Sequence, residues 1–262
     1  MSRMYPLFFP CLAGFLSAMI FFHPKGATAQ HTVYRGAVIR GDSTVKELAL
    51  IFSGDEFGEG LNFIQNTLKP HNIPASFFFT GKFYRNNRFR SGIKLLAGDG
   101  HFMGAHSDQH LLYCDWSQRD SLLVTQQQFE LDLLRNYESM EQAGVDAARA
   151  KYFLPPFEWY NDTISSWVKN LGIQLINFTP GTLSHTDYTT LQDKNYRDNQ
   201  TIFRSIIEFE NQHQGGLNGF ILLMHIGAGE KRKEKFYSRL PELISILKEK
   251  GYQFKSVDQL LN

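Results

Sequence analysis

Apolar runs and segments of helical periodicity alternate along most of the chain. About seven short apolar runs predict buried strands, at residues 47–52, 75–80, 101–105, 151–154, 173–178, 219–225 and 252–257. Between them, apolar residues recur at helical spacing in 58–69, 88–97, 117–143, 162–171, 201–212 and 236–249. Strands separated by helices in this way pair in parallel through right-handed crossovers. The pattern therefore predicts an α/β fold, a barrel of about seven parallel strands built by one domain over residues 46–262.

Two segments do not fit the alternation. Residues 30–45 form a short polar lead, which we expect to lie outside the barrel domain. Residues 180–200 are rich in Thr, Asp and Asn and are too long for a routine connection. Because the loops that follow the strands of a parallel barrel build its site, this second segment is predicted to form a wall of a substrate groove.

The first 29 residues have the layout of a secretory signal peptide. Arg3 and Lys25 are their only charged residues, an apolar stretch covers residues 7–22, and residues 27–29 (Ala-Thr-Ala) give a cleavage pattern of small residues. The apolar stretch is also close to the lower length limit of a membrane span, but Pro6 and Pro10 and the cleavage pattern favour removal. We therefore expect an exported protein, periplasmic or extracellular, with no stable membrane span after cleavage.

Composition and charge exclude several classes of protein. Hydrophobic residues make up 42% and charged residues 20%, which suits a globular core and not a disordered chain. Lys and Arg number 27 against 26 Asp and Glu, without a basic stripe, so nucleic acid is not an expected partner. The basic run at 231–235 is interpreted as a solvated loop. Only Cys114 lies outside the signal segment, which excludes a disulfide framework. Oligomeric state is left open.

Polar side chains gather directly after the predicted strands, where the loops of a parallel barrel converge on one face. They are Asp55 and Glu56 after the first strand, His106 and His110 after the third, Glu158 after the fourth, and His225 at the end of the sixth. His106 and His110 have the spacing of one helical turn, so both imidazoles can reach the same cation. Asp55 can supply a third ligand and leave open positions for water and substrate. The alternative is a pair of surface histidines on a turn.

Four motifs, in order, resemble those of the polysaccharide deacetylases, the NodB-homology carbohydrate esterases, from about residue 46 to the C-terminus. The family's His-Ser/Thr-x-x-His metal motif is matched by residues 106–110 and its second strand by residues 75–81. Its Arg-x-Pro-Tyr segment is similar to 154–157 (Leu-Pro-Pro-Phe), and its Leu-x-His strand end to 223–225 (Leu-Met-His). The resemblance implies the family's distorted barrel and removal of acetyl groups, most often from an N-acetylated sugar.

The first motif departs from the family. Phe-Asp-Asp-Gly, which carries the catalytic base and then a metal-binding Asp, is replaced by Phe-Ser-Gly-Asp-Glu at residues 52–56. We place Asp55 at the metal position, which leaves Ser53 or Gly54 where the base should be. The arginine that orients the base in the family is Leu154 here. Glu56, Asp108 and Glu158 are the candidates for a replacement base, and the sequence does not choose among them.

The resemblance also implies roles for the remaining residues. A divalent ion on Asp55, His106 and His110, expected to be Zn²⁺ with Co²⁺, Mn²⁺ or Ni²⁺ as alternatives, would polarise the amide carbonyl and activate water. His225 would protonate the departing amine. The backbone N–H after Pro156 would help to hold the oxyanion.

The expected partner is an acetylated glycan, bound by Pro156, Phe157, Trp159 and Tyr160, with the two last residues as stacking surfaces or as core. One rival hypothesis is a carbohydrate-binding protein of the same fold that has lost turnover with its base. Another is a metal-dependent hydrolase that acts on a different acyl or amide bond.

Overall fold

The structure, a computed structural model, describes residues 31–262. The predicted signal peptide lies outside the described residues. None of the helices in residues 31–262 is long and apolar enough to cross a membrane.

Nine strands form one curled sheet. In chain order they are β1 (Thr32–Tyr34), β2 (Ala37–Arg40), β3 (Glu47–Gly54), β4 (Ser76–Phe79), β5 (Phe102–Ala105), β6 (Tyr152–Phe153), β7 (Gln174–Leu175), β8 (Phe220–His225) and β9 (Gln253–Lys255). Their order in the sheet is β1-β2-β8-β3-β4-β5-β6-β7, with β9 also paired to β3. All pairs from β8 through β7 and the β3–β9 pair are parallel, which confirms the predicted barrel of about seven parallel strands.

Helices cover the outside of this sheet. They are α1 (Leu61–Leu68), α2 (Gly81–Arg85), α3 (Arg90–Gly98), α4 (Gln126–Gln142), α5 (Asp162–Asn170), α6 (Asn199–Gln212), α7 (Leu240–Glu249) and α8 (Val257–Leu260). Between helices and sheet lies a core of buried apolar residues. Its centre is the fully buried β3, whose Phe52 ring stacks on Phe77 of β4 with 5.1 Å between centroids.

The polar lead belongs to the barrel, contrary to our expectation. β1 and β2 pair with each other in antiparallel fashion, and β2 continues the sheet through Arg40 and Phe220. Val38 also bridges in parallel to Ile176, just beyond β7, so the two edges of the sheet meet. The apolar pair Ala37 and Val38 is buried in this seam, and its burial explains why a mostly polar segment is held in the sheet.

The longest predicted helix begins nine residues later than its apolar spacing suggests, at Gln126 instead of residue 117. The reason is local hydrogen bonding. Asp115 accepts from the backbone N–H of Ser117 and of Gln118, which folds the chain into a turn. Thr125 and Gln128 then form a reciprocal capping box that begins the helix. The intervening loop is free to run along the mouth of the barrel.

Candidate active site

A cavity of about 230 Å³ lies at the carboxyl ends of the strands. Its lining comes from residues that directly follow or end β3, β5, β6 and β8, together with Tyr188 of the long irregular segment. Asp55, Glu56, His106, His110, Glu158 and His225 all contribute to it. The predicted convergence of these side chains is therefore observed, as expected for the catalytic face of a parallel barrel.

His106 and His110 face each other with 5.0 Å between ring centroids. They lie on an irregular loop and not on the predicted helical turn, and His110 has a left-handed backbone with φ of 58°. The Nδ1 of His106 donates to the carbonyl of Leu154 at 2.9 Å, which leaves Nε2 with its lone pair free. Burial lowers the pKa of His110 to about 4 and that of His106 well below its usual value, so both rings are neutral at pH 7.

The loop that carries these histidines is held by α4. Asn136 accepts from the backbone N–H of His106 at 2.7 Å, and Asp132 accepts from the N–H groups of Asp108 and Gln109. Both helix residues are buried. The sequence analysis missed them, because a polar residue on a mostly polar helix carries no local sign that it faces a loop.

Asp55 directly follows β3 and lines the same cavity as the imidazole pair. Its carboxylate accepts from the hydroxyl of Thr80 at 2.9 Å and forms an ion pair with the Nζ of Lys82 at 3.0 Å. Within residues 31–262, no group of three or more His, Cys, Asp and Glu side chains is close enough to hold a metal ion as it stands. Two neutral imidazoles and a carboxylate on one cavity are nevertheless donors that suit a divalent ion, with Lys82 as a competing cation for Asp55.

His225 forms a pair with Asp187, a residue that the sequence analysis did not single out. The Nδ1 of His225 lies 2.6 Å from Oδ1 of Asp187, and the backbone N–H of His225 donates to Oδ2 at 3.0 Å. Burial lowers the pKa of His225, but attraction to Asp187 and the hydrogen bond outweigh it, and the net pKa is raised. Asp187 lies in the segment predicted as a groove wall, but nothing distinguishes it there from Asp193.

Glu158 follows β6 and lines the same cavity. Burial raises its pKa to about 7, with nearby Asp187 raising it further and His225 opposing the change. Phe157, the preceding residue, packs its ring on His110 with 4.3 Å between centroids. The cavity thus holds two neutral imidazoles, a protonatable carboxyl near neutral pH, and a histidine whose charged form is stabilised, a set that can perform acid–base chemistry.

Comparison with known proteins identifies the family. A family model described as polysaccharide deacetylase matches residues 41–176, just over half of the chain. The chain belongs to this family. The recognition from the four motifs is confirmed, and with it the assignment to the polysaccharide deacetylase hydrolases.

Individual relatives are distant. The chain is 24% identical over 198 residues to a peptidoglycan-N-acetylmuramic acid deacetylase of Bacillus subtilis, covering 76% of this chain and 65% of that one. It is 24% identical over 217 residues to a peptidoglycan-N-acetylglucosamine deacetylase of Listeria monocytogenes, covering 83% of this chain and 39% of that one. A solved CE4 family pseudoenzyme of Bacillus anthracis matches with a TM-score of 0.67 and 19% identity, covering 88% of this chain and 70% of the other. The chain therefore spans less than two-thirds of either deacetylase.

The base position of the deacetylase family falls on Ser53 or Gly54, and the polar one of these two residues is Ser53. This residue is opposite His225 in the parallel register of β3 and β8, and it lines the cavity. Its Oγ is buried and has no hydrogen-bond partner in the described part of the chain. Leu154, at the position of the family arginine, is fully buried among apolar residues of the barrel. Neither the base nor its orienting cation is retained at these two positions.

Two candidate site residues lie away from the cavity. Asp108, a candidate for the base, lies outside the cavity, where it is buried against Gly81 and forms an ion pair with Arg85. Tyr160 is fully buried, and its hydroxyl donates to the carbonyl of Tyr34, so of its two expected roles the structure favours core packing over stacking on a sugar. In both cases a polar side chain near a motif forms an ion pair or a hydrogen bond with a residue that is distant in sequence. The local spacing of residues does not reveal such partners.

Aromatic rings surround the mouth of the cavity. Phe157 is 41% exposed, and the indole of Trp116, 54% exposed, lies 5.6 Å from it between ring centroids. Trp116 also packs 5.3 Å from Trp159, whose ring is covered by the guanidinium of Arg119 at 3.9 Å. Trp159 is thus a support, and Trp116, which the sequence analysis did not consider, presents the exposed ring. Pro156 is buried beneath this rim.

Proposed function

We propose that this protein is a metal-dependent deacetylase that hydrolyses acetyl groups, chiefly N-acetyl groups, on a polysaccharide or oligosaccharide. The observation that carries the proposal is the meeting of the imidazole pair, Asp55 and the His225–Asp187 pair in one cavity. The Bacillus and Listeria relatives that act on N-acetylated peptidoglycan sugars support the choice of an N-acetyl group. We further propose that the protein is exported to the periplasm or the extracellular space, where such glycans occur.

The donor set fits one divalent ion, with Zn²⁺ preferred and Co²⁺, Mn²⁺ or Ni²⁺ as alternatives. Asp55, His106 and His110 would hold it. When bound there, such an ion polarises the acetyl carbonyl and lowers the pKa of a water molecule. His225 donates a proton to the departing nitrogen, and Asp187 keeps its ring charged and oriented. Phe157 lines the same cavity, and its backbone N–H would stabilise the oxyanion.

The shape of the site favours a polymer over a small ligand. The cavity continues into a second depression, since Glu56, Phe57, Tyr188 and Ala228 line both. The outer depression runs along the segment 188–193, in agreement with the predicted groove wall. Phe157 lines the cavity but not this outer depression, and the exposed ring of Trp116 packs beside Phe157. A chain of sugar residues can therefore extend from the cavity in both directions.

Acetate release tests the function. After loading with Zn²⁺, we expect the protein to release acetate from acetylated chito-oligosaccharides and much less from acetylated xylan. The double variant of His106→Ala and His110→Ala is expected to bind no stoichiometric metal by elemental analysis and to release no acetate. Unchanged metal content in that variant would contradict the ligand assignment.

One observation favours a second function. The chain has Ser53 and Leu154 where the resemblance to the family leads us to expect an acidic base and the arginine that orients it. A glycan-binding protein without turnover would retain the groove and the aromatic rim. A solved relative is described as a pseudoenzyme, which shows that this fold occurs without activity. Oligosaccharide binding without acetate release from either substrate, with metal bound, would favour this alternative.

Lys82→Met is expected to strengthen metal binding. The ammonium of Lys82 lies 3.0 Å from the Asp55 carboxylate, and a metal ion must compete with it for that ligand. We expect the Kd for Zn²⁺, measured by competition with a chelator, to fall by about tenfold. Lys94→Met, at an exposed lysine of α3 away from the cavity, is the matched control. An unchanged or weaker affinity in Lys82→Met would show that this ion pair does not compete with the metal.

Trp116→Ala is expected to weaken binding of long substrates. Loss of one stacking surface removes roughly 1 kcal/mol of interaction, which corresponds to a rise in KM of about fivefold to tenfold for a hexasaccharide. The effect on kcat, and on the KM of a disaccharide, should be small because the ring lies outside the cavity. Phe63→Ala, at another exposed aromatic on α1, serves as control. Equal effects on both chain lengths would contradict a role in binding the extended glycan.

A further inference from the structure

We propose that Glu158 is the general base of the reaction, so that the base has moved from the end of β3 to the loop after β6. The inference rests on the proposed deacetylase function. It assigns the one role that the family motifs leave empty in this chain, since Ser53 has no group that accepts a proton at neutral pH.

Position supports this assignment. Phe157, the residue before Glu158, packs on the proposed metal ligand His110, and the charges of His225 and Asp187 act on Glu158 itself. Glu158 lines the same cavity as His106, His110 and His225. A base in this reaction has to reach the water molecule that attacks the acetyl group, and Glu158 shares one cavity with both the proposed metal ligands and the proposed acid.

The backbone is held in a strained form at this point. Phe157 and Glu158 are consecutive non-glycine residues with φ of 58° and 53°, in the left-handed region. The N–H of Glu158 donates to the carbonyl of Pro155 at 3.0 Å, and its own carbonyl accepts from Asn177 at 2.8 Å. Strain of this kind persists where the surroundings fix it, and it is concentrated at functional sites. Here it directs a carboxyl group into the cavity.

The other carboxylates in or near the cavity either already have a hydrogen-bond or ion-pair partner or are exposed to solvent. Asp55 contacts Thr80 and Lys82, Asp187 holds His225, and Asp108 lies outside the cavity with Arg85. Glu56 lines the cavity but is exposed to solvent at its rim. Glu158 is the half-buried cavity carboxyl that has no side-chain hydrogen bond or ion pair among residues 31–262.

The acid–base properties agree with the geometry. A pKa of about 7 leaves a large fraction of Glu158 ionised at neutral pH and makes it a stronger base than an ordinary glutamate. The titratable groups that face it are His225 of β8, together with Asp187 and Tyr188 of the long segment.

The proton balance of the step is complete. Glu158 accepts one proton from water while the water oxygen forms a bond to the acetyl carbonyl carbon. The carbon–nitrogen bond then breaks as the nitrogen takes a proton from His225. The products are acetic acid and an amine, and transfer of protons to solvent and from solvent restores the carboxylate and the imidazolium.

Glu158→Gln is the first test. It preserves size and removes the base, so kcat for acetate release from an acetylated chito-oligosaccharide should fall by at least about 100-fold, with Zn²⁺ content unchanged. Glu56→Gln should reduce kcat far less. Glu138→Gln, at an exposed glutamate of α4, should leave kcat unchanged and controls for loss of a carboxylate.

The second test separates a base from a residue that only positions others. The acidic limb of the pH profile of kcat/KM, expected near pH 7 in the wild type, should disappear in Glu158→Gln. Glu158→Gly should raise Tm, since glycine adopts φ of 53° without strain, yet it should be inactive. Formate at high concentration, which can occupy the space left by the carboxyl, should restore part of its activity.

The outcomes are distinct. Wild-type protein that releases no acetate contradicts the proposed function, and the base with it. An active wild type together with an active Glu158→Gln variant contradicts the base alone. The assignment of the base is also contradicted if Glu56→Gln lowers kcat more than Glu158→Gln does. It is contradicted as well if the acidic limb of the kcat/KM profile remains in Glu158→Gln.

Discussion

Replacing Asp187 with asparagine is expected to lower kcat for acetate release by about 1000-fold. The side chain keeps its shape, but the Nδ1–H of His225 then faces an amide instead of a carboxylate at 2.6 Å. The charged form of the imidazole loses its main stabilising partner while its burial is unchanged. Less of the acid is protonated at neutral pH, and the ring is held in the wrong tautomer.

The dependence of kcat on pH should differ between the wild type and the Asp187→Asn variant. In the wild type the pKa of His225 is raised, so the alkaline limb of kcat lies above pH 6.5. In Asp187→Asn the pKa should fall, and the alkaline limb should move to lower pH. The free energy of unfolding depends on pH in the same direction. The stabilisation contributed by the His225–Asp187 pair is fully present below pH 6.5 and is lost as the pH rises through the raised pKa of His225. The Tm difference between wild type and variant should therefore narrow in alkaline buffer.

The control for this experiment is Asp198→Asn. Asp198 caps α6 by accepting from the backbone N–H of Thr201, and asparagine caps a helix equally well, so neither kcat nor Tm should change much. If Asp187→Asn retained kcat within tenfold of the wild type, His225 would not depend on Asp187 as an acid. The amine would then have to take its proton from another group or from solvent.

The parallel barrel could be predicted because its strands are continuous apolar runs. Burial on both faces makes residues 48–52 of β3 and 220–224 of β8 continuous apolar runs, so the bounds of these strands agree with the prediction within two residues. β1 and β2 could not be found in this way. They are short, partly exposed strands at the seam, and long-range pairing with β8 stabilises them more than any local pattern does.

The site was predictable where chemistry repeats at strand ends. Asp55, His106, His110 and His225 all lie at or within five residues of the end of an apolar run, and the barrel brings them together. Asp187 and Arg232 could not be predicted in this way. Each contacts residues that are distant in sequence, and the neighbouring sequence does not indicate these contacts. The helical turn predicted for the His106–His110 loop was wrong for a related reason: buried Asp132 and Asn136 hold that loop through its backbone N–H groups.

Arg232 gives the clearest case in which local charge is misleading. As part of a basic run it was predicted to be solvated, but it is only 1% exposed. Its guanidinium donates to the carbonyls of Thr189, Arg197 and Glu234 and to the side chain of Asn199. Thr189 is two residues beyond Asp187. One side chain thus holds the segment that carries the partner of His225 at several points, at Thr189 and again at Arg197 and Asn199.

Arg232→Met is therefore expected to destabilise the protein by roughly 3 kcal/mol, because several buried carbonyl groups lose their donor. For a chain of this size, that loss corresponds to a decrease in Tm of about 6–12 °C in a thermal melt. Lys233→Met, at the exposed neighbour in the same run, should leave Tm within about 1 °C of the wild type, as is usual for surface substitutions.

Activity should separate the two effects of Arg232. At a temperature where Arg232→Met is still folded, the loosened segment should hold Asp187 less firmly, so kcat should fall while Zn²⁺ content stays constant. The alkaline limb should also shift toward lower pH, as in Asp187→Asn but by less. A variant that lost stability yet kept the wild-type kcat and pH profile would show that Arg232 holds the segment without positioning Asp187. The geometry argues against that result, since Thr189 and Asp187 belong to the same turn of chain and cannot move independently.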